Sequence, residues 1–142
     1  MVTTALDLLT RLHKALAHPV RVRILAMLRG GELCVCQLNA VIGLAPSTIS
    51  AHLTDLKDAG LVAERKAGRW VHYRLEPEGL ARPALAALWP ALGDDAQVTE
   101  DAALLGGLTK LPVEAICRPD FDVAALRRAC CRVPPRRRGA RA

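Results

Sequence analysis

Two helical segments separated by only three residues constrain the fold of this chain most strongly. The predicted helices cover residues 32–42 and 46–59, and residues 43–45 connect them. Gly43 in the connection and Gly60 after the second helix suit left-handed helix ends. The second helix carries an apolar stripe at helical spacing, formed by Ile49, Leu53 and Leu56. Two helices joined by so short a glycine-bearing turn are typical of a helix-turn-helix.

After residue 60 the pattern changes from helical to alternating. We predict a β-hairpin with strands at residues 61–65 and 70–75 and a tip at residues 66–69, where Gly68 supplies the turn conformation. One face of the return strand carries Val71, Tyr73 and Leu75, and the other carries Trp70, His72 and Arg74. A helix-turn-helix followed by a basic hairpin predicts a mainly α winged helix-turn-helix fold.

The rest of the chain is also predicted to be helical. The composition is 51% hydrophobic but only 3% aromatic, so the core must consist of Leu, Val, Ile and Ala, and Leu and Ala favour helices. The first helix covers residues 3–16 and opens at Thr3 or Thr4. The helix that follows it has Pro19 in its first turn and stops at residues 30–31, which are both glycine.

The length of 142 residues fits one compact domain with an appendage. We expect a winged-helix and dimerisation domain at residues 1–93, a helical extension with cysteines at 94–131, and a basic disordered tail at 132–142. The apolar stripes of the first helix and of the helix near residues 80–92 exceed what the central unit can cover. We therefore expect these two helices to pair with a second copy in a homodimer.

The charge pattern favours an anionic partner. The net charge is +6 and the pI is about 9.5, although charge alone does not separate nucleic acid from an acidic surface. No apolar run approaches the roughly 18 residues of a membrane span, and the first residues lack the design of a secretory signal. We expect a cytoplasmic protein with no membrane partner.

Five cysteines, an odd number without an export signal, favour reduced thiols that bind metal or react over a disulfide framework. Cys34 and Cys36 would diverge inside a regular helix, but they can converge where the first residue is not yet helical, and the helix start also favours thiolate. Small buried hydrophobes are the alternative interpretation. Cys117 is either a third ligand or a core residue. Cys130 and Cys131 are adjacent and follow two arginines.

Four ordered motifs within residues 5–92 resemble the ArsR/SmtB family of metal-responsive repressors. They are ALAHPVRVRIL (15–25), ELCVCQL (32–38), STISAHL (47–53) and GRWVHYRL (68–75). The resemblance implies a homodimer that represses its operon and leaves the operator DNA when an inducer binds. In similar arsenite sensors a third cysteine often follows the second by three residues, but Asn39 occupies that position. The Asp and His ligands of zinc-sensing relatives are missing from residues 83–92, which argues against zinc there.

The helix-turn-helix and the hairpin supply candidate contacts to double-stranded DNA. The recognition helix would present short polar side chains to base edges in the major groove, and the wing tip would contact phosphates. Helix capping and simple solvation are the alternatives for these residues, and His52 is nearly as compatible with a half-buried position. The candidates are Ser47, Thr48, Ser50, His52, Arg65, Lys66 and Arg69.

We expect the inducer to be a soft thiophilic species, As(III) or Sb(III), because thiolates select soft ions. In one arrangement Cys34 and Cys36 are completed by a C-terminal cysteine of the same or the partner subunit. In the other, Cys117, Cys130 and Cys131 form a separate site. We prefer the first arrangement, because the cysteine pair directly precedes the recognition helix.

Other interpretations of the cysteines remain open. Methylated arsenic, cadmium or lead are alternative inducers, and so is oxidation of Cys34–Cys36 or Cys130–Cys131. We expect that the protein is not an enzyme and binds no organic cofactor. The sequence lacks a Cys-x-x-Cys motif, a glycine-rich phosphate loop and a motif that places a His or carboxylate beside a cysteine.

Overall fold

The computed structural model describes residues 2–130. The described residues form eight helices and three strands, in the order α1 (Ala5–Leu16), α2 (Pro19–Leu28), β1 (Leu33–Cys34), α3 (Val35–Ile42), α4 (Pro46–Asp58), β2 (Val62–Ala67), β3 (Trp70–Leu75), α5 (Ala81–Leu92), α6 (Ala96–Leu108), α7 (Val113–Ile116) and α8 (Val123–Cys130). A mainly α fold with a small antiparallel sheet confirms the predicted class.

The first two helices begin where their capping residues predict. Thr4 is the N-cap of α1 and forms a capping box with Asp7, in which each side chain bonds the backbone N–H of the other residue. The α2 helix opens with Pro19 in its first turn, and the His18 side chain accepts a hydrogen bond from the N–H of Val20. Both predicted helix starts are confirmed.

The helix-turn-helix consists of α3, residues 43–45 and α4. Gly43 ends α3 with φ 78°, a left-handed conformation that glycine adopts without a Cβ clash. The apolar stripe of α4 is fully buried, as predicted, at Ile49, Leu53 and Leu56. The predicted start of α3 at residue 32 was wrong. Leu33 and Cys34 are instead a strand, because both are buried and pair with β3.

The wing is an antiparallel sheet with the strand order β1-β3-β2. In β1 and β3, Leu33 lies opposite Tyr73 and Cys34 opposite His72. The predicted hairpin tip at residues 66–69 was too long. The strand β2 continues to Ala67, which pairs with Trp70, so only residues 68–69 form the turn and Gly68 has φ 59°.

The C-terminal helices pack against the winged helix and share its hydrophobic core. Leu104 and Leu108 of α6 and Ile116 of α7 belong to the same buried cluster as the α4 stripe. The α6 helix lies against α2 and α3, α7 lies against α3, and α8 lies against α6. Within residues 2–130, no helix is both long enough and apolar enough to cross a membrane.

A buried ion pair attaches α6 to α2. Arg23 donates from Nε and from one terminal nitrogen to the two carboxylate oxygens of Asp101, both at 2.8 Å. The side chain of Asp101 is only 4% exposed, and Gln97 donates a further hydrogen bond at 3.0 Å to one of its oxygens. Both oxygens of this buried carboxylate therefore have partners, as burial of a charge requires.

We predict that Asp101→Ala lowers the free energy of unfolding by about 2–3 kcal/mol, because Arg23 keeps its charge at a largely buried position without a partner. Urea denaturation followed by circular dichroism measures the change. Asp94→Ala, an exposed acid just before the same helix, is the control and should change stability by less than about 0.5 kcal/mol. Equal stabilities of the two variants would contradict this account of α6 docking.

Candidate thiol site and nucleic-acid interface

Three cysteines from two distant parts of the chain converge on one point. The Sγ atoms of Cys34, Cys36 and Cys117 all lie within 4.8 Å of one another. Cys34 ends β1, Cys36 lies in the first turn of α3, and Cys117 follows α7. As reduced thiolates, three soft donors at this separation could hold a soft metal or metalloid.

The backbone at Cys34 explains how two cysteines only two positions apart can meet. Cys34 is the N-cap of α3 and has extended dihedral angles, φ −77° and ψ 151°. Its N–H donates a 2.8 Å hydrogen bond to Oε1 of Gln37, which is itself buried. Because the helix begins only at the next residue, the side chains of Cys34 and Cys36 are not held at helical spacing. Cys34 is a buried free thiol, 1% exposed.

Cys36 and Cys117 are joined by a disulfide whose Cα atoms are 5.4 Å apart. The expectation of reduced thiols is therefore wrong for these two residues in this structure, because packing of α7 on α3 brings their sulfurs together. The bond connects residues 81 positions apart in the chain. It attaches the C-terminal helices to the first helix of the helix-turn-helix.

Two of the candidate ligands lie at or beyond the end of the described residues. Cys130 is the last residue of α8, and Cys131 lies outside the described residues. Asn39 stands where similar sensors carry a third cysteine, and its Oδ1 is buried with no hydrogen-bond partner among the described residues. The third sulfur of this cluster belongs to Cys117, which follows α7.

The predicted DNA contacts of the recognition helix α4 are exposed at its N-terminal half. Ser47, Thr48 and Ser50 all face solvent, as do Ala51 and Thr54 on the same helix. The buried stripe lies on the opposite side, so a continuous surface of small polar side chains is available. A helix with such a surface can approach base edges closely.

His52 is placed differently from the other candidates of α4. It is half-buried, and its ring centroid lies 4.4 Å from that of His18. Its Nδ1 is 3.3 Å from a terminal nitrogen of Arg21. Burial, together with the neighbouring His18 and Arg21, lowers the pKa of the His52 imidazole from its ordinary value of 6.5, although Asp55 opposes the shift. These intramolecular contacts support the packing interpretation of His52.

Arg21 connects three helices through one guanidinium group. Its Nε donates to the carbonyl of Ala15 at 2.8 Å and a terminal nitrogen donates to that of Lys14 at 3.0 Å, both near the end of α1. The other terminal nitrogen donates to Asp55 of α4 at 3.0 Å. The end of α1 is therefore tied to the recognition helix through α2.

The basic wing residues are exposed but differ in their partners. Lys66 faces solvent in β2, and the Arg69 guanidinium lies over the Trp70 ring, 5.0 Å from its centroid. Arg65 is paired with Glu32, which precedes β1. Sequence reasoning missed Glu32, Arg21 and Asp101, because their ion-pair partners are 33, 34 and 78 positions away in the chain and no local pattern indicates them.

The fold and the site define a class: a winged helix-turn-helix protein with an exposed recognition helix and a three-cysteine cluster at the helix that precedes it. A family model described as "Bacterial regulatory protein, arsR family" matches residues 18–64, from the N-cap of α2 into β2. This range contains the helix-turn-helix and two of the three clustered cysteines.

Curated relatives agree with that match. The arsenic resistance transcriptional regulator ArsR1 of Pseudomonas putida KT2440 is 47% identical over 66 residues, which are 46% of this chain and 52% of the relative. The chain thus spans about half the length of this arsenic regulator. The HTH-type transcriptional repressor SmtB of Mycobacterium tuberculosis H37Rv is 41% identical over 91 residues, 64% of this chain and 67% of the relative.

A solved structure extends the likeness to the fold. It is the homodimeric winged helix-turn-helix DNA-binding domain of a possible ArsR-family transcriptional regulator from Mycobacterium bovis. It is 38% identical with a TM-score of 0.53, and the match covers 61% of this chain and 82% of that domain. The chain belongs to the ArsR family, whose members are regulators and not enzymes, and the predicted winged helix-turn-helix fold is confirmed.

We predict that His52 makes stability depend on pH near neutrality. Its pKa is lowered in the folded protein, so below about pH 6.5 the unfolded chain binds a proton here that the folded protein resists. This contribution to stability is present above pH 6.5 and is lost as the pH falls. Urea denaturation at pH 7.5 and pH 5.5 should show a smaller loss for His52→Gln than for the wild type. His13→Gln, on the exposed face of α1, should keep the wild-type loss; a full loss in both variants would contradict the assignment.

Proposed function

We propose that this protein is a dimeric repressor of an arsenic-resistance operon that leaves its operator when trivalent arsenic, or antimony, binds Cys34, Cys36 and Cys117. The observation that carries the proposal is the convergence of these three sulfurs beside the helix-turn-helix. Similarity to regulators with arsenic resistance in their names supports the choice of metalloid. A DNA-binding repressor of this kind would act in the cytoplasm.

The chemistry of the site fits a metalloid hydroxide. Arsenite, As(OH)₃, exchanges its three hydroxides for three thiols with release of three waters, and the product is a neutral trithiolate. Because Cys36 and Cys117 are joined in a disulfide, they must first be reduced; two molecules of a small thiol reductant supply the two electrons and two protons and are themselves joined in a disulfide. One subunit supplies all three sulfurs, which favours the arrangement in which a C-terminal cysteine completes the pair over a separate C-terminal site.

The exposed half of α4 and the basic wing are proposed to contact the operator. Ser47, Thr48 and Ser50 are in position to reach base edges, whereas Lys66, Arg69 and Arg65 supply positive charge for phosphates. His52 is proposed to support the helix and not to contact DNA, because it packs on His18. The net charge of +6 favours the same partner.

The thiol site can influence DNA binding by two short routes. Cys34 and Cys36 flank the first residue of α3, and α3 leads through residues 43–45 to the recognition helix. Cys34 is also opposite His72 in β3, which belongs to the wing. An inducer bound to the three reduced sulfurs acts on both routes. It shifts DNA affinity only if the DNA-bound form of the protein binds the inducer less tightly than the free form does.

We predict that reduced wild-type protein binds fluorescently labelled promoter DNA and that arsenite releases it, as measured by anisotropy. Cys34→Ser, Cys36→Ser and Cys117→Ser should each raise the arsenite concentration for half-release by about tenfold or more, because each removes one of three ligands. The double variant Cys130→Ser/Cys131→Ser is the matched control and should respond like the wild type. Normal release from Cys34→Ser and Cys36→Ser, together with loss of response in Cys130→Ser/Cys131→Ser, would favour the separate C-terminal site.

A redox-responsive repressor is the second candidate, and the Cys36–Cys117 disulfide is the observation that favours it. Peroxide oxidises two thiols to a disulfide and is reduced to two waters. In the same anisotropy experiment, release by peroxide with no response to arsenite would favour this candidate. Release by cadmium or lead alone would indicate a divalent-metal sensor instead.

Exposed leucines on α1 support a dimer. Leu6, Leu8 and Leu9 are 72%, 49% and 44% exposed, and Leu80 just before α5 is 50% exposed. The buried side of α1 is formed by Leu12 and Ala15, so the exposed leucines are surplus to the core of one chain. A second copy that covers α1 and α5 would bury them.

We predict that Leu6→Gln raises the dissociation constant of the dimer by about ten- to a hundredfold, since a twofold interface contains each substitution twice. Sedimentation velocity over a range of concentrations measures this constant. Arg11→Gln, on the polar side of the same helix, should leave it unchanged. A dimer as stable in Leu6→Gln as in the wild type would exclude this face of α1 from the interface.

A further inference from the structure

Arg65, a wing residue proposed above to face DNA, is held by a carboxylate. Its Nε lies 3.2 Å and 3.3 Å from the two carboxylate oxygens of Glu32, and a terminal nitrogen also donates to Oε1. Nδ1 of His72 is 3.9 Å from the same oxygen.

The pair is accessible to an incoming phosphate. The side chain of Arg65 is 52% exposed and that of Glu32 is 28% exposed. Exposed ion pairs contribute little to stability, so replacing Glu32 by a phosphate as the partner of Arg65 costs little free energy. A guanidinium group binds carboxylate or phosphate in the same forked geometry, and this one cannot offer that geometry to both at once.

We propose that Glu32 competes with the DNA backbone for Arg65 and thereby limits the affinity of the wing for DNA. The proposal rests on the proposed DNA-binding function. When the wing meets a phosphate, Arg65 exchanges Glu32 for it, and Glu32 remains as a negative charge beside the DNA. Glu32 is thus a positioning residue. It keeps the affinity of the wing for DNA below the value that the basic side chains alone would give.

The position of Glu32 explains why this carboxylate reaches the wing. It immediately precedes β1, which pairs with β3, and β3 pairs in turn with β2, where Arg65 lies opposite His72. Cys34 also lies opposite His72, on the other side of β3. The thiol site and the Glu32–Arg65 pair therefore flank the same residue of the central strand.

The test compares Glu32→Gln with Glu76→Gln by anisotropy on promoter DNA and on a scrambled duplex of equal length. Glu76 directly follows β3 and pairs with Arg74. Glu76→Gln therefore changes the net charge by the same amount as Glu32→Gln, but it does not release Arg65. We expect Glu32→Gln to tighten binding to both duplexes by the same factor, about three- to tenfold beyond Glu76→Gln, because a phosphate contact carries no sequence information. The slope of log Kd against log salt should steepen by about one.

A double-mutant cycle identifies Arg65 as the residue released. In the Arg65→Gln background, Glu32→Gln should tighten binding no more than Glu76→Gln does in that background. A gain that persists without Arg65, or an unchanged salt slope in Glu32→Gln, would overturn the proposal. Circular dichroism melting of each variant establishes that it is folded. If the folded wild type does not bind promoter DNA, the proposed function itself is rejected. If the wild type binds and Glu32→Gln binds with the same affinity, only the role of Glu32 is rejected.

Discussion

The pairing of the two-residue strand β1 with β3 determines the geometry of both candidate sites. Because Leu33 and Cys34 are extended and hydrogen-bonded to the wing, α3 cannot begin before Val35, and Cys34 becomes its N-cap. That arrangement removes the helical spacing that would separate Cys34 from Cys36. The same pairing holds the wing against the helix-turn-helix, so the thiol cluster and the basic hairpin share one small sheet.

The parts of the fold that depend on local pattern could be predicted from the sequence. The apolar stripe of α4, Gly43 in the turn and the alternation around Tyr73 each specify their element with residues close in the chain. The helix predicted at residue 32 failed for the opposite reason. A strand of two residues has no period of its own, and its partner β3 lies about forty residues further along the chain.

The candidate site was predictable in its components but not in its assembly. The sequence indicated Cys34 and Cys36 as a pair, yet the choice among three C-terminal cysteines depends on how α6 and α7 pack on α2 and α3. That packing relies on the Arg23–Asp101 pair, which joins residues 78 positions apart. His52 shows the same limit, since its place at the edge of a buried stripe is compatible with either solvent or a neighbouring helix. In the structure its ring packs against His18, which the local pattern did not indicate.

The contacts of Arg21 have a consequence for the assembled dimer. One guanidinium group holds the last turn of α1, the helix with the exposed leucines, and also Asp55 on the recognition helix. In a dimer built on α1, the interface and the DNA-reading surface of each subunit would then move together as one rigid unit. The distance between the two recognition helices, and hence the spacing of operator half-sites that the protein accepts, would be set at the interface and transmitted rigidly to the DNA.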